Sequence, residues 1–493
     1  MNASTDLFLC LDQGGHASRA VVFDRCGDKV MELSCDTETM LDDPRVELDA
    51  GSLLAGMRQL INTTASQLGS DAQRVVAAGL ATQRSNIACW HKGTGQPLAP
   101  ILSWQDRRAG ELLRGLDLAW VHAKTGLYAN AHYGASKLAW CLRQLPEVMD
   151  AAQAGDLCMG PMASFLQTRL TTRQHNPVSN PYLGYADPAN ASRTLLYNLQ
   201  IRDWDQELCD HFGIDIETLP TCVPSLYDFG HLSWPERKLP LRVVSGDLST
   251  AAFVHGMPQE DIAYITLGTG AFVQRILRQT VETDLRLLNG IVWDDGEQAL
   301  YSIEGTVNGA GSALEWFCGH SGMEQRELLQ QLPLWCEQTS LPPLFTNGVS
   351  GLGSPFWQAD FSPRFAGAGD VAAQAVAVVE SIVFLLCENL TLMERYLPAP
   401  SQLLLSGGLA ALDGLCQRLA DLSGVEVVRS AETEGTAKGL AYLLADMPQI
   451  WPAAMEQTFK SRANPSLRKR YTQWQQIIYT ETGYTEKVTE SSL

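Results

Sequence analysis

The stretch from Leu7 to Phe23, LFLCLDQGGHASRAVVF, decides the fold. Its first five residues are all apolar, which is typical of a strand covered on both faces. A turn at Gly14-Gly15 follows, and Arg19 to Phe23 predicts a second strand. After another turn, Lys29 to Leu33 predicts a third strand. The chain therefore opens with three strands in succession and a glycine turn between the first two.

A related pattern returns about half a chain later. Ile262 to Leu267 predicts a strand, Gly268-Thr269-Gly270 a tight turn, and Ala271 to Leu277 the next strand. Further on, Leu403 to Leu405 predicts a strand that runs into Ser406-Gly407-Gly408. Two strand–turn–strand units this far apart predict a duplicated α/β architecture with a cleft between the halves.

The most apolar long stretch, Val371 to Leu397, predicts a buried helix, because it carries acids and amides that a membrane span would rarely hold. Asp370 is its expected N-cap and Pro398 its expected end. The residues before Leu7 lack the basic start of a signal peptide. Twelve scattered cysteines without a C-x-x-C pair fit a reducing compartment, so we expect a cytoplasmic protein without membrane insertion.

Bulk composition narrows the choice of partners. The 493 residues are 45% hydrophobic and 18% charged, which is typical of a globular chain with more than one core. The formal net charge of −19 repels phosphate backbones, so we expect no nucleic-acid partner. Composition leaves open whether the chain forms a homo-oligomer.

Two carboxylates stand where strands are predicted to end. Asp12 ends the first strand just before Gly14-Gly15, where it could hold Mg²⁺ through water while backbone N–H groups approach a phosphate. Asp247 follows the strand Leu241 to Ser245, where α/β sheets bind ligands and where a base could accept an alcohol proton. Taken alone, the Asp12 segment fits an ordinary turn with a capping Asp better than a phosphate site, and Asp247 fits a helix cap equally well.

Three further segments suggest binding of hydroxyls or a nucleotide. Arg84 and Trp104, near strand ends, could bind hydroxyl groups and pack on a sugar face. Asp106 and Arg108 fit better as a surface salt bridge at the start of a helix. The glycine pair ending at Gly408 could let an adenosine lie against the backbone, or it could only pack a helix on a strand.

In this order, the segments resemble the FGGY carbohydrate kinases, and among them the glycerol kinase branch most. The resemblance is collinear over nearly the whole chain and is carried by DQG at 12–14, TQR at 82–84, WQDRR at 104–108, NASRTL at 190–195, GD at 246–247, GTG at 268–270, EGTV at 304–307, GLGSPFW at 351–357 and SGG at 406–408. It implies an actin-like ATPase fold of two RNase H-like lobes with an interlobe cleft. The implied parts are an N-terminal substrate-binding lobe at 1–256, a C-terminal nucleotide-binding lobe at 257–479, and a polar tail at 480–493.

The resemblance also implies ATP and Mg²⁺ as cofactors and a set of site residues. Asp247 would be the catalytic base, and Asp12 and Asp247 would hold Mg²⁺ through water. The implied substrate-binding residues are Arg84, Ser85, Trp104, His132, Tyr133, Asp247, Leu248 and Phe272. The implied nucleotide-binding residues are Gly14, Gly15, His16, Arg19, Gly268, Thr269, Gly311, Glu315 and Gly408.

The chain departs from the glycerol kinase pattern at the substrate and phosphate positions. Gly15-His16 stands where that branch has two threonines, Ser85 where it has Glu, and Leu248 where it has Gln. His132 replaces a pocket tyrosine, although Tyr133 is adjacent. The resemblance therefore supports membership of the glycerol kinase branch better than it supports glycerol as the substrate.

The sequence thus predicts a kinase that phosphorylates a primary hydroxyl of a small, glycerol-like polyol or sugar. A kinase for a tetritol, pentitol or ketose such as a pentulose is the alternative within this class. A sensor that binds ligand with weak catalysis is a second alternative, favoured by Gly15 and Leu248 and opposed by the retained Asp12 and Asp247. A chaperone-type ATPase on the same fold is opposed by the segment Trp104 to Arg108.

Overall fold

The computed structural model describes residues 6–172, 182–430, 432, 434–451 and 456–484. The strands of the N-terminal half are β1 (Leu7–Gln13), β2 (Ala17–Asp24), β3 (Lys29–Asp36), β4 (Thr39–Asp42), β5 (Arg45–Leu48), β6 (Val75–Thr82), β7 (Ile87–His91), β8 (Ile101–Leu102), β9 (Leu157–Pro161), β10 (Thr171–Thr172), β11 (Tyr185–Ala186), β12 (Tyr197–Asn198), β13 (Asp203–Trp204), β14 (Thr221–Cys222), β15 (His231–Trp234) and β16 (Arg237–Gly246). Its helices are α1 (Ala50–Leu68), α2 (Leu118–Thr125), α3 (Gly134–Gln144), α4 (Pro146–Ala154), α5 (Met162–Leu170), α6 (Pro188–Ala191), α7 (Gln206–Phe212) and α8 (Asp247–Ala251).

The N-terminal lobe is organised by a seven-stranded sheet in the order β10-β15-β16-β6-β1-β2-β3. Strand β1 pairs antiparallel with β2 and parallel with β6, and β6 pairs parallel with β16. All seven residues of β1 are buried, which explains its unbroken apolar start. A five-stranded sheet, β4-β5-β8-β7-β9, is added beside this core.

The second half of the chain begins with β17 (Ile262–Leu267), β18 (Ala271–Leu277), β19 (Leu288–Asp294), β20 (Ala299–Val307), β21 (Leu344–Thr346), β22 (Arg364–Ala366), β23 (Gln402–Ser406), β24 (Glu426–Ser430) and β25 (Glu456–Phe459) as its strands. Its helices are α9 (Gly311–Ser321), α10 (Gln325–Gln338), α11 (Val371–Met393), α12 (Asp413–Ser423), α13 (Gly435–Leu444) and α14 (Pro465–Thr482). They surround a seven-stranded sheet in the order β19-β20-β18-β17-β23-β24-β25.

Both large sheets follow one plan. Strand β17 pairs antiparallel with β18 and parallel with β23, and β23 pairs parallel with β24. These partners match those of β1, with β18, β23 and β24 in the places of β2, β6 and β16. The duplicated two-lobed α/β architecture predicted from the glycine turns is therefore confirmed.

Helix α11 forms the centre of the C-terminal core. The Asp370 carboxylate caps it by accepting from the N–H of Ala373 at 2.8 Å, as predicted. The helix ends at Met393, so the predicted end at Pro398 is wrong: the N–H groups of Arg395 and Tyr396 bond three residues back, in tighter turns. Among the described residues, α11 is the one helix long and apolar enough to cross a membrane, but 78% of its most apolar window is buried within the protein.

Helix α13 crosses back from the second half of the chain to the N-terminal sheet. Its Leu440 packs with Phe8 and Cys10 of β1 in one buried apolar cluster. Contact with α8 is so close that a Cβ at Gly439 would overlap the carbonyl oxygen of Thr250. Helix α13 thus lies within the sequence range 257–479 but covers the other lobe.

Helix α14 is the last described element. It continues to Thr482, past the expected start of the polar tail at residue 480. Residues 485–493 of that expected tail lie outside the described residues.

Candidate active site

Sheet register brings the two candidate carboxylates to one edge of the N-terminal sheet. Thr82 of β6 pairs with Gln13 on one side and with Gly246 on the other. Asp12 and Asp247 therefore lie near the ends of the two strands that flank β6, at the same edge of the sheet. Burial, and then the Asp247 carboxylate, raise the pKa of Asp12 to about 7. The Oδ1 of Asp247 accepts from the N–H of Leu248 at 2.8 Å, and burial raises the pKa of Asp247.

This pair of carboxylates fits a magnesium ion. Two neighbouring carboxylates repel each other when both are ionised. A divalent cation close to both would stabilise their ionised forms. Magnesium keeps several of its own waters when one or two carboxylates hold it. Asp12 and Asp247 are the residues that would hold it.

A buried ionic network lies below Arg84 and joins the two lobes. Glu304 of β20 accepts from Arg193 through Nη1 at 3.1 Å and Nη2 at 2.7 Å, and from Gln274 at 2.8 Å. Arg84 stays further away, with Nη2 at 3.5 Å from Glu304 and Nε at 4.0 Å from Asp247. Burial raises the pKa of Glu304, but the two guanidinium groups outweigh burial and hold it below its ordinary value.

Five predicted substrate-binding residues, Arg84, Ser85, Trp104, His132 and Tyr133, lie together and are called the polar wall here. The rings of Trp104 and His132 are 5.1 Å apart, and those of His132 and Tyr133 are 5.0 Å apart. Ser85 is buried with φ at 66°, and its Oγ has no hydrogen-bond partner among the described residues. Burial and four neighbouring cations hold the pKa of His132 well below its ordinary value, so the imidazole is neutral.

Leu248 and Phe272 reach the same region from different lobes. Leu248 follows Asp247 in α8, and Phe272 lies on β18 two residues before Gln274, so Phe272 and Gln274 share one face of the sheet. Both Leu248 and Phe272 are half-buried. The C-terminal lobe therefore adds an apolar side chain beside the Glu304 network.

The predicted nucleotide residues of the N-terminal lobe lie on the turn after β1. The N–H of Gly14 donates to the carbonyl of Ala17 at 3.0 Å, and a Cβ at Gly15 would come within 2.8 Å of Gln83 Nε2. His16 is exposed at the tip of this turn. Arg19 does not stand free: its Nη1 lies 2.9 Å from the carboxylate of Glu434, the residue that precedes α13.

The equivalent turn of the C-terminal lobe is held by the start of α9. Gly268 and Thr269 are exposed, and the N–H of Gly311 donates to the Gly268 carbonyl at 2.9 Å. Glu315 is exposed one turn further along α9, and a Cβ at Gly408 would meet no atom within 4 Å. The turns Gly14 to His16 and Gly268 to Gly270 are called the glycine loops from here on.

The structure corrects one interpretation and adds residues that sequence reasoning missed. Asp106 and Arg108 are not a surface pair: Asp106 is fully buried, and Arg108 bonds both Asp106 and Glu47 at 2.6 Å. The missed residues are Arg193, Gln274 and Glu304 of the ionic network, with Asn86 and Lys137 behind the polar wall. An acid inside the apolar strand β20 was the available signal for Glu304.

Comparison with known proteins identifies the family. Residues 7–239 match the N-terminal domain of the FGGY family of carbohydrate kinases, and residues 263–446 match its C-terminal domain. The chain is 31% identical to the glycerol kinase of Burkholderia ambifaria (strain MC40-6), covering 95% of this chain and 97% of that one. It is 30% identical to the glycerol kinase of Geobacter sp. (strain M21), covering 97% and 99%.

Solved structures agree on the fold. The glycerol kinase of Plasmodium falciparum, solved with ADP, superposes with a TM-score of 0.85 at 22% identity, over 98% of this chain and 99% of that one. The xylulose kinase of Rhodospirillum rubrum gives a TM-score of 0.83 at 16% identity, over 97% and 99%. The fold is the actin-like arrangement of two lobes, and the site lies where its lobes face each other. This chain belongs to the FGGY family of carbohydrate kinases and is an enzyme of that class.

Proposed function

We propose that this kinase transfers the γ-phosphoryl group of ATP to a primary hydroxyl of a small, glycerol-like polyol or sugar. The observation that carries the proposal is the position of Asp247 at the carboxyl end of β16, beside Arg84 and near Asp12, which lies two residues before Gly14. Phosphoryl transfer needs little else from a protein than alignment of the two oxygens and stabilisation of charge.

Asp247 would accept the proton of the attacking hydroxyl. Burial raises the pKa of Asp247 toward neutral pH. A carboxylate with a pKa nearer to the working pH is a more effective base. Arg84 lies at 3.5 and 4.0 Å from its two carboxylate neighbours, longer than a good hydrogen bond, so its N–H groups are available to acceptor hydroxyls. Trp104 would pack against the carbon face of the acceptor.

Nucleotide binding would fall to the glycine loops and to Gly311, Glu315 and Gly408. Open space beside Gly408 suits a planar adenosine, and exposed backbone suits the phosphates. Magnesium, when bound, would neutralise charge between the phosphates, and Asp12 and Asp247 would hold it through its waters. Asp247 would keep its own task of accepting the hydroxyl proton.

The second candidate function is a kinase for an acceptor other than glycerol, and Ser85 of the polar wall and Leu248 of α8 favour it. Ser85 and Leu248 offer fewer hydrogen bonds than the acid and amide that they replace, and Leu248 presents an apolar surface. A tetritol, a pentitol or a ketose such as a pentulose fits this change, because a larger or partly deoxygenated molecule needs more apolar contact.

The test is an ADP-release assay on the purified protein with a panel of polyols, pentuloses and hexuloses. Formation of ADP that depends on one acceptor supports the proposal, and the best acceptor names the substrate. Acceptor binding without ADP formation would instead support a sensor. A cytoplasmic location and the absence of a nucleic-acid partner also remain predictions.

A further inference from the structure

One buried ammonium group lies behind the polar wall. Lys137, on helix α3, is fully buried, and its Nζ donates three hydrogen bonds. The acceptors are the backbone carbonyls of Ser85 at 2.8 Å, Ser103 at 2.9 Å and His132 at 2.9 Å. Each carbonyl lies on a different segment of chain, and each segment carries side chains of the polar wall.

Among the described residues, Lys137 is the one whose side chain bonds all three segments at once. Ser85 holds a positive φ and directly follows Arg84, Ser103 directly precedes Trp104, and His132 belongs to the wall itself. One further tie supports the arrangement, because Asn86 Oδ1 accepts from the N–H of Trp104 at 2.7 Å. None of the three carbonyls lies within a strand, although the N–H of Ser103 donates to the carbonyl of Val46 in β5 at 2.9 Å.

The chemistry of the group suits this geometry. A lysine ammonium has three N–H donors and a neutral amine has only two, so three carbonyls can be satisfied only by the charged form. Burial lowers the pKa of Lys137 to about 7, and Asp106 nearby opposes this shift. Because the Lys137 Nζ bonds only to backbone carbonyls, it occupies none of the wall side chains.

We infer that Lys137 is a positioning residue that sets the spacing of Arg84, Trp104 and His132 and thereby determines which acceptors the kinase accepts. This inference rests on the proposed function for its kinetic consequence. It concerns the acceptor only, because no hydrogen bond from Lys137 reaches either glycine loop in the part of the chain that the structure describes.

The test compares Lys137→Met with Leu138→Ala, a matched change of the next buried residue on the same helix. Kinetic discrimination, the ratio of kcat/KM for two acceptors, does not depend on the fraction of enzyme that is folded. We expect Lys137→Met to lower kcat/KM for the best acceptor by about 10²-fold, to shrink the ratio, and to leave the KM for ATP unchanged. Leu138→Ala should lower thermal stability and keep the ratio.

Hydrogen exchange provides a readout that needs no substrate. In Lys137→Met, the amides of residues 84–86, 103–105 and 132–134 should exchange faster together, while those of both glycine loops keep their rates. Lys137→Gln, which retains two N–H donors, should give an intermediate result and serves if the methionine variant does not fold.

An unchanged exchange pattern overturns the inference, and so does faster exchange with an unchanged acceptor ratio. If the wild-type chain shows no turnover, the proposed function fails, and acceptor affinity measured by calorimetry replaces the kinetic ratio.

Discussion

The polar wall and the glycine loops are built in opposite ways. The wall consists of side chains on three segments whose backbone carbonyls are bonded by the buried Lys137, and the Arg193–Glu304 pair lies beside Arg84. The loops consist of exposed or half-exposed backbone that is held by backbone hydrogen bonds. A wall of side chains can change its ligand by substitution, whereas a backbone loop binds phosphate whatever the acceptor. Substrate choice should therefore depend on the wall and nucleotide use on the loops.

The strongest test of this contrast is Asp247→Asn, at the point where the wall and the loops meet. Losing a positioned general base should lower kcat by about 10²–10⁴-fold, because the amide cannot accept the hydroxyl proton. The melting temperature should stay close to that of the wild type, since the bond from the N–H of Leu248 can be kept by the amide oxygen. Near-wild-type kcat on the best acceptor would exclude Asp247 as the base.

Support from behind the wall is tested by Glu304→Gln. Removing this carboxylate leaves Arg193 and Arg84 as unbalanced buried charges, which should lower the free energy of unfolding by about 3–5 kcal/mol. Urea denaturation measures the loss. The control is Glu111→Gln, which breaks an exposed pair with Arg114 and should cost only about 0–1 kcal/mol. Equal effects of the two changes would contradict the network.

Substitution at Ser85 of the wall together with Leu248 of α8 should change the acceptor. We expect wild-type protein to use glycerol poorly, and the double change Ser85→Glu with Leu248→Gln to raise kcat/KM for glycerol by about ten- to a hundred-fold, since two hydrogen bonds are restored. The KM for ATP serves as the internal control and should not move. A micromolar KM for glycerol in the wild type, with no better acceptor in the panel, would show that the wall is not altered in specificity.

Substitution in the loops should affect the nucleotide alone. A Cβ at Gly311 would lie 2.8 Å from the Gly268 carbonyl and displace that loop, so Gly311→Ala should raise the KM for ATP by about ten-fold. Gly408→Ala meets no protein atom within 4 Å, so any rise in its KM for ATP reports direct contact with bound nucleotide. Discrimination between acceptors should survive both changes. A shift of acceptor preference by Gly311→Ala would break the contrast between wall and loops.

The sequence was most informative where structure is local. The bounds predicted for β17 and β18 match the structure, because strands buried on both faces or bordered by glycine are visible in a short window. The cap of α11 at Asp370 was likewise visible, since capping acts over three residues. The predicted two-lobed fold followed from these local elements and from their repetition.

Contacts between distant parts of the chain were not visible. Arg193 and Glu304 are separated by 111 positions, and neither neighbourhood predicts the partner. The buried position of Arg108 depends on Glu47, a residue of a strand far upstream. Of the site residues chosen from motifs, Asp12, Arg84 and Asp247 lie close together, but the buried groups around them were found only in the structure.

The position of helix α13 determines whether the two lobes can be separated by cutting the chain. Because a segment from near the carboxyl end covers β1 and β6 at the amino end, no single cut separates the lobes into two complete pieces. A fragment that stops at residue 256 would leave the apolar surface under Leu440 bare and prone to aggregation. The two halves share one sheet plan, but the N-terminal lobe is complete only when α13 from near the carboxyl end covers it. We therefore expect the enzyme to fold only as a whole chain.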